Sequence, residues 1–199
     1  MHIKKPLKNG TDFSASATRC LFAGREKSMN DYVCRVAASD EVKKRWEKLV
    51  MRNPHDAAWK EWAVKFEEGV KRGGRICFYG FLRGTVIAEA TAAVKCGELK
   101  YPEGLVDDKT AYLMAFRTDK EYRGKGYFSK LYRFAEKYLA DMGFSRLTIG
   151  VEDGDIINSE RYKKWGFAEY VKCVTEFDLP AKEGAEPQKV VIKYYAKNL

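Results

Sequence analysis

The pattern of hydrophobic and polar positions is most regular between residues 111 and 143. Residues 111–116 form an apolar and aromatic run that predicts a buried strand, and a charged turn with two glycines follows at 123–126. Beyond this turn, apolar residues recur at steps of three or four, as on one face of an amphipathic helix: Phe128, Leu131, Ala135, Tyr138 and Met142. The pattern therefore predicts a strand, a glycine turn and a helix that ends at Gly143.

Further elements are predicted on both sides of this stretch. One helix begins at Ser39 and ends at Asn53, and a second runs from Asp56 to Gly73. Two β-rich runs, at 75–82 and 85–94, predict a hairpin around Arg83-Gly84. The remaining predictions, in chain order, are an edge strand at 3–7, a helix within 25–36, a polar loop at 97–109, a strand at 146–151, a helix at 155–164, a strand at 167–179, a flexible loop at 180–189 and a strand at 189–196.

This order of elements predicts one mixed α/β domain over residues 1–199. Hydrophobic residues make up 45% of the chain and aromatic residues 14%, which favours a folded core over disorder. No internal repeat, low-complexity segment or linker divides the sequence. An aromatic stripe on the second helix (Trp59, Trp62, Phe66) is predicted to be core, with the wall of a substrate pocket as the alternative.

Composition excludes several classes of protein. No stretch of about 18 apolar residues predicts a membrane span, and the first residues lack the apolar run of a signal peptide, so we expect a cytoplasmic protein. The five cysteines are scattered without a C-x-x-C pair, which fits reduced thiols and no zinc site. The two histidines, His2 and His55, nearly exclude a His-centred triad or a multi-His metal site.

The glycine turn has the residues that bind a phosphate. A helix begins with N–H groups that have no intrahelical acceptor, and its dipole favours an anion there. Glycines allow close approach of the backbone, and Arg123 and Lys125 add positive charge. The net charge of +9 is spread along the chain and suits an anionic cofactor at least as well as a nucleic acid.

Two motifs in this region resemble those of a known family. The hexapeptide at 123–128 (R-G-K-G-Y-F) is similar to the acyl-CoA pyrophosphate loop of the GNAT superfamily of N-acetyltransferases, Gln/Arg-x-x-Gly-x-Gly/Ala. The hexapeptide at 162–167 (Y-K-K-W-G-F) resembles the second hallmark of that family, Tyr-x-Lys-x-Gly-Phe. Phe128 stands where the family has Gly or Ala, so its side chain must point away from the phosphates.

The resemblance implies a fold, and it implies which parts of the chain bind the cofactor and the acceptor. The expected fold is a mixed, mostly antiparallel sheet flanked by helices and splayed at the acyl-CoA site. The CoA-binding core would lie at about 111–170, and the helices at about 10–72 would face the acceptor. The cofactor would be acetyl-CoA, held by Phe116, Arg117, Thr118, Arg123, Gly124, Lys125, Gly126, Tyr127, Phe128, Ser129 and Asn158.

The resemblance also implies direct attack of a neutral amine on the thioester, without a covalent acyl-enzyme. Tyr162 falls where the family places a tyrosine that protonates the departing thiolate, although a packed helix residue is the alternative. A carboxylate is the expected general base. Glu89 interrupts an apolar run at 86–92, where burial would raise its pKa, and Glu152 is the second candidate. For both glutamates, simple exposure to solvent is the alternative.

The sequence therefore predicts an N-acetyltransferase that acts on a primary amine, with a small molecule favoured over a peptide N-terminus or a lysine. Two alternatives remain open at this point. One is a GNAT-like protein that binds acyl-CoA without turnover, and the other is a basic nucleic-acid-binding module. A homodimer also remains open.

Overall fold

The computed structural model describes residues 31–95, 101–180, 182 and 185–199. The edge strand predicted at 3–7 lies outside these residues, as do the first part of the helix predicted within 25–36 and part of the loop predicted at 97–109. The described elements, in chain order, are β1 (Tyr32–Val36), α1 (Ser39–Arg52), α2 (Ala58–Lys71), β2 (Arg75–Leu82), β3 (Thr85–Ala93), β4 (Thr110–Thr118), a 3-10 turn (Lys120–Tyr122), α3 (Tyr127–Asp141), β5 (Arg146–Glu152), α4 (Ile156–Lys164), β6 (Glu169–Asp178) and β7 (Gln188–Asn198).

The strands form one seven-stranded sheet in the order β1-β2-β3-β4-β5-β7-β6. Every neighbouring pair is antiparallel except β4 and β5, which are parallel. The predicted fold class, a mixed α/β fold with a mostly antiparallel sheet and flanking helices, is confirmed. The predicted hairpin is also confirmed, because β2 and β3 pair directly across the turn at Arg83-Gly84.

The helix predicted within 25–36 is wrong for its described part, which is strand β1. Tyr32, Cys34 and Val36 lie on one side of this strand, with Tyr32 buried and Val33 exposed between them. This period of two is typical of a half-buried strand. The ring of Tyr32 lies over Gly80 of β2, where a Cβ atom would overlap it. The pairing of β1 with β2 therefore depends on a tyrosine facing a glycine, which the pattern of β1 alone does not show.

Two layers of helices cover the two faces of the sheet. Phe78 of β2 packs with α3 on one face, while its neighbours Cys77 and Tyr79 pack with α1 and α2 on the other. On that second face, Trp46 of α1 and Phe66 of α2 are buried with ring centres 4.6 Å apart. The aromatic residues of α2 thus belong to the core, as predicted.

Helix α3 begins and ends close to the predicted positions, but its buried face differs at the last turn. Leu131, Ala135 and Leu139 are fully buried, whereas Met142 is 50% exposed and was wrongly placed on this face. The helix stops one residue before Met142, and Gly143 turns the chain with φ +93°. The loop predicted as polar at 97–109 is also only partly so, because Leu105 and Val106 are buried.

The sheet opens between its two parallel strands. Pairing of β4 with β5 stops at Leu113–Ile149 within the described residues, although both strands continue and stay paired with their outer neighbours. A bulge in β4 accompanies this divergence. Ala115 has a left-handed φ of +53°, and the register with β3 shifts between Glu89 and Thr91. The carboxyl ends of β4 and β5 therefore border a gap.

Candidate active site

A cleft of about 800 Å³ opens at this gap. Its walls come from the end of β4, the glycine turn, the first turn of α3, helix α4 and the last turns of α1. Eleven of the residues predicted from sequence line it: Phe116, Arg117, Thr118, Arg123, Gly124, Gly126, Tyr127, Phe128, Ser129, Asn158 and Tyr162. Lys125, Glu89 and Glu152 are not among the residues that line it. The fold thus brings two separate sequence motifs and the end of β4 into one site.

The glycine turn leads directly into α3. Gly124 has φ +72° and Gly126, the N-cap residue, has φ +86°, both in the left-handed region that favours glycine. The space where a Cβ would stand is open at both positions. An anion placed there would meet the N–H groups of the first helical turn and the positive end of the helix dipole. The residues present therefore fit a phosphate group.

The basic side chains of the turn have partners within the protein. The Arg123 Nε atom donates to the Thr118 carbonyl oxygen at 2.9 Å, which ties the turn to the end of β4. The Lys125 ammonium lies 5.8 Å from the ring centre of Tyr122. Lys125 was predicted to contact the cofactor, but its side chain does not line the cleft.

Aromatic rings form the wall of the cleft behind the turn. Phe128 stacks on Trp165 with ring centres 5.8 Å apart and an interplanar angle of 16°. It also packs 5.0 Å from Phe116. This arrangement accommodates phenylalanine at the position where the family motif has Gly or Ala. Tyr127 is buried against Tyr32, so its main chain, not its ring, reaches the turn.

Helix α4 contributes Tyr162 and Asn158. The ring of Tyr162 is half-buried 6.2 Å from that of Phe116, and burial raises the pKa of its hydroxyl above the ordinary value of 10.0. This phenol stays protonated at neutral pH and is able to donate a proton. Asp155 caps the helix by accepting from the Asn158 N–H at 3.0 Å. The Asn158 amide is also held by Asp155 at 2.6 Å and by Arg161.

Glu89 lies beneath the cleft as part of a buried ion pair. It is 3% exposed, and its carboxylate accepts from Arg45 Nε at 2.7 Å and from Arg117 Nη1. The Arg117 guanidinium also lies 4.7 Å from the ring centre of Trp46. The side chain of Arg117 thus points to the α1 face, away from the glycine turn. Glu89 is therefore buried, as was expected for a general base, and the alternative of a glutamate exposed to solvent is wrong.

The contacts of the two predicted bases favour other roles for them. Both oxygens of Glu89 already accept hydrogen bonds from guanidinium groups, one from Arg45 and one from Arg117. Glu152 is exposed at the end of β5. General-base catalysis by either residue stays a prediction.

Several residues that line the cleft were not predicted from sequence, among them Arg45, Arg52, Lys120, Arg161 and Trp165. One of them is indicated by the pattern of apolar positions in the sequence. Arg45 falls on the apolar stripe of α1, between Val42 and Trp46, and is 4% exposed. A charged residue in a buried stripe requires a buried partner. The partner itself, Glu89, lies on another element and is not indicated by this spacing.

Two kinds of feature are absent from the described residues. No helix among them has the length and apolar character needed to cross a membrane. No three or more His, Cys, Asp and Glu side chains in the same part of the chain are grouped as metal ligands would be.

The comparisons with known proteins agree with this architecture. The model of the acetyltransferase (GNAT) family matches residues 36–167. Comparison with curated proteins gave no match. Among solved structures, the chain is similar to an N-acetyltransferase from Staphylococcus aureus Mu50, with a TM-score of 0.58 and 15% identity over 84% of this chain and 98% of that one.

Two further solved structures share the fold. A ribosomal-protein-alanine N-acetyltransferase from Brucella melitensis gives a TM-score of 0.57 and 16% identity over 84% of this chain and 99% of that one. A Salmonella typhimurium protein, yncA, solved with its cofactor acetyl-CoA, gives a TM-score of 0.57 and 14% identity over 85% and 94%. The family model covers more than half of the sequence, and the chain therefore belongs to the GNAT acetyltransferase family and is an acyltransferase.

Proposed function

We propose that the protein transfers an acetyl group from acetyl-CoA to the primary amine of a small molecule. The observation that carries this proposal is the meeting, in one cleft, of the glycine turn, the gap beside β4 and Tyr162. Each supplies one requirement of the reaction: an anion site, main-chain groups beside a channel, and a proton donor. Acetyl-CoA, when bound, supplies a thioester whose C–S bond breaks as the amine nitrogen forms the new C–N bond.

The chain's own residues have separate tasks in this proposal. The N–H groups from Gly124 to Ser129 hold the pyrophosphate. The main chain of Phe116, Arg117 and Thr118 borders the gap, and there it orients the acyl-pantetheine arm. Asn158, which lines the same cleft, would contact this arm. The space is open at both glycines, which is what close approach of a phosphate to the backbone requires.

Tyr162 donates a proton to the departing thiolate. Tyr162 lines the cleft, which gives its hydroxyl access to the reacting group. Burial raises the pKa of this hydroxyl and makes it a weaker acid, so the proton transfer depends on close contact with the sulfur. The amine must lose a proton as well. Because Glu89 is held by two arginines and Glu152 does not line the cleft, we propose that this proton leaves to water in the open cleft.

The first prediction concerns the phosphate site. Gly126→Asp places a carboxylate where the phosphates would bind, and we expect at least a 30-fold loss of acetyl-CoA affinity from repulsion of like charges, about 2 kcal/mol. The measurement is thermal unfolding with and without acetyl-CoA, with ATP as an anionic control. Ligand at 100 times its dissociation constant adds about 2.7 kcal/mol to the wild-type protein.

Gly84→Asp is the matched control for this variant. Gly84 also has a left-handed φ, +78°, with open space around it, but it lies in the β2–β3 turn outside the cleft. We expect this variant to bind acetyl-CoA like the wild type. Undiminished acetyl-CoA binding by Gly126→Asp would place the phosphate site elsewhere. Binding without turnover of any amine would favour an acyl-CoA-binding protein without enzymatic activity.

A further inference from the structure

The cleft has a second side, which we call the α1 end because residues of helix α1 line it. Helix α1 packs on the face of the sheet opposite α3, and its residues Arg45, Leu49 and Arg52 line the cleft together with Asp119 and Lys120. If acetyl-CoA enters from the glycine turn, as proposed above, the acceptor meets the thioester from this α1 end. The charges at the α1 end then decide which amines fit, an inference that rests on the proposed function.

Five charged side chains are joined at the α1 end. Arg45 pairs with Glu89 at 2.7 Å and with Asp119 at 3.0 Å, Arg117 also pairs with Glu89, and Arg52 lies 3.6 Å from Asp119. Three guanidinium groups therefore share two carboxylates, which leaves one positive charge in excess. Each carboxylate already serves two arginines. Among the residues described, Asp119 is the one carboxylate that lines the cleft, so a free acidic group for a second ammonium is not available there.

Arg52 has the most exposed side chain of the three arginines. Its side chain is 58% exposed, whereas that of Arg45 is 4% exposed. The 3.6 Å separation of Arg52 and Asp119 is longer than a hydrogen bond, and Asp119 is already bonded to Arg45 at 3.0 Å. The Arg52 guanidinium thus keeps donors for another partner. A planar guanidinium binds a carboxylate through two parallel hydrogen bonds.

We infer that the acceptor carries a carboxylate beside its amine, as an amino acid does, and that Arg52 binds this carboxylate. An acceptor of this class neutralises the excess charge at the α1 end and directs its amine toward the gap. Polyamines and aminoglycosides bring several ammonium groups instead. These would face Arg52 and Lys120 without a free carboxylate among the described residues, so we expect them to be poor acceptors.

The experiment compares acceptors that differ only in the carboxylate. Full-length protein with saturating acetyl-CoA is assayed by release of free thiol against the common amino acids. Phenethylamine, tryptamine and cadaverine serve as the decarboxylated partners of phenylalanine, tryptophan and lysine, and spermidine is included as a polyamine. We expect kcat/KM for the best amino acid to exceed that of its decarboxylated partner by at least about tenfold. Equal or reversed preference, or no turnover of any amino acid, would overturn the inference.

Variants at Arg52 test the assigned contact. We expect Arg52→Ala to raise KM for the best amino acid by about 10- to 100-fold and to leave KM for its decarboxylated partner nearly unchanged. Arg52→Lys should restore part of the loss, because it keeps the charge but not the fork of donors. Lys48→Ala, which removes an exposed charge from the same helix outside the cleft, should behave like the wild type.

Acetyl-CoA binding separates the ways in which this inference can fail. If wild-type protein shows no thermal shift with acetyl-CoA, the proposed function fails and the inference fails with it. If the wild type binds acetyl-CoA but Arg52→Ala weakens that binding, Arg52 belongs to the cofactor site and only the inference is overturned. Unchanged acetyl-CoA binding with a carboxylate-dependent KM supports it.

Discussion

Glu89 is a buried carboxylate shared by two guanidinium groups, and its removal would leave those groups unbalanced. Arg45 is buried as well, and its remaining partner is Asp119 at 3.0 Å. A structural ion pair of this kind contributes mainly to folding, because a buried charge without its partner is costly. A general base would instead contribute mainly to the rate.

We predict that Glu89→Gln lowers the free energy of unfolding by about 3 kcal/mol, measured by urea denaturation. Glu152→Gln, at an exposed position, should change it by no more than about 0.5 kcal/mol. The opposite pattern would restore Glu89 as the base: unchanged stability, a much lower rate and loss of one limb of the pH–rate profile.

Tyr162 is a proton donor in the proposed mechanism, and its hydroxyl is the only part that the mechanism uses. We predict that Tyr162→Phe lowers kcat by about 100-fold and leaves acetyl-CoA affinity unchanged, since the ring packing is kept. Burial raises the pKa of this hydroxyl, so its titration should not reduce the rate below about pH 10. Steady-state kinetics across pH measure both effects.

Tyr170→Phe removes the hydroxyl of a tyrosine that is 57% exposed and lies outside the cleft, and it should leave kcat unchanged. A kcat of Tyr162→Phe equal to that of the wild type would show that the thiolate leaves without protein assistance.

At the scale of elements, the start of α1 is fixed to strand β1 by one glutamate. Glu41 accepts two hydrogen bonds from Arg35, at 2.6 and 2.5 Å, and one from the N–H of the N-cap residue Ala38 at 2.9 Å. These bonds, that of Arg35 first, lower the pKa of Glu41 to about 2 from an ordinary 4.5. The folded state thus favours the ionised carboxylate.

A carboxyl group whose pKa is lowered by folding stabilises the protein at pH values above its pKa in the unfolded state. This stabilisation is lost on acidification. We predict that Glu41→Gln costs about 1 kcal/mol at neutral pH, as loss of a capping interaction does. The difference from wild type should shrink as the pH falls from about 4.5 toward 2. Unfolding curves at several pH values measure it, with Glu47→Gln as an exposed control on the same helix. A difference that does not depend on pH would contradict the assigned ion pair.

Elements with a regular pattern were predictable from sequence, and those that depend on a distant partner were not. Helices α1, α2 and α3 and the β2–β3 hairpin follow from periodicity and from glycine turns, which are local properties. Strand β1 was mistaken for a helix because its pairing depends on Tyr32 facing Gly80. Helix α4 was predicted almost to its ends, and in the structure Asp155 caps it.

At the scale of the whole molecule, the two ends of the cleft also differ in how far they could be predicted from the sequence. The glycine turn is contiguous in sequence, so one motif was enough to indicate the proposed phosphate end. The α1 end combines α1, β3 and the end of β4, and Arg45 and Asp119 are joined there across 74 positions of the chain. No spacing within one element indicates such a pair. The α1 end, where we propose that the acceptor binds, was therefore the part of the cleft that sequence could least predict.

The gap beyond Leu113 and Ile149 is a property of the main chain. It depends on where strand pairing stops and on one left-handed residue, Ala115. Solved structures with the same fold share only 14 to 16% of their residues with this chain. A gap made of backbone places few demands on side chains, so we expect that the acceptor can change among proteins of this fold without loss of the gap where we propose that the acyl group is transferred.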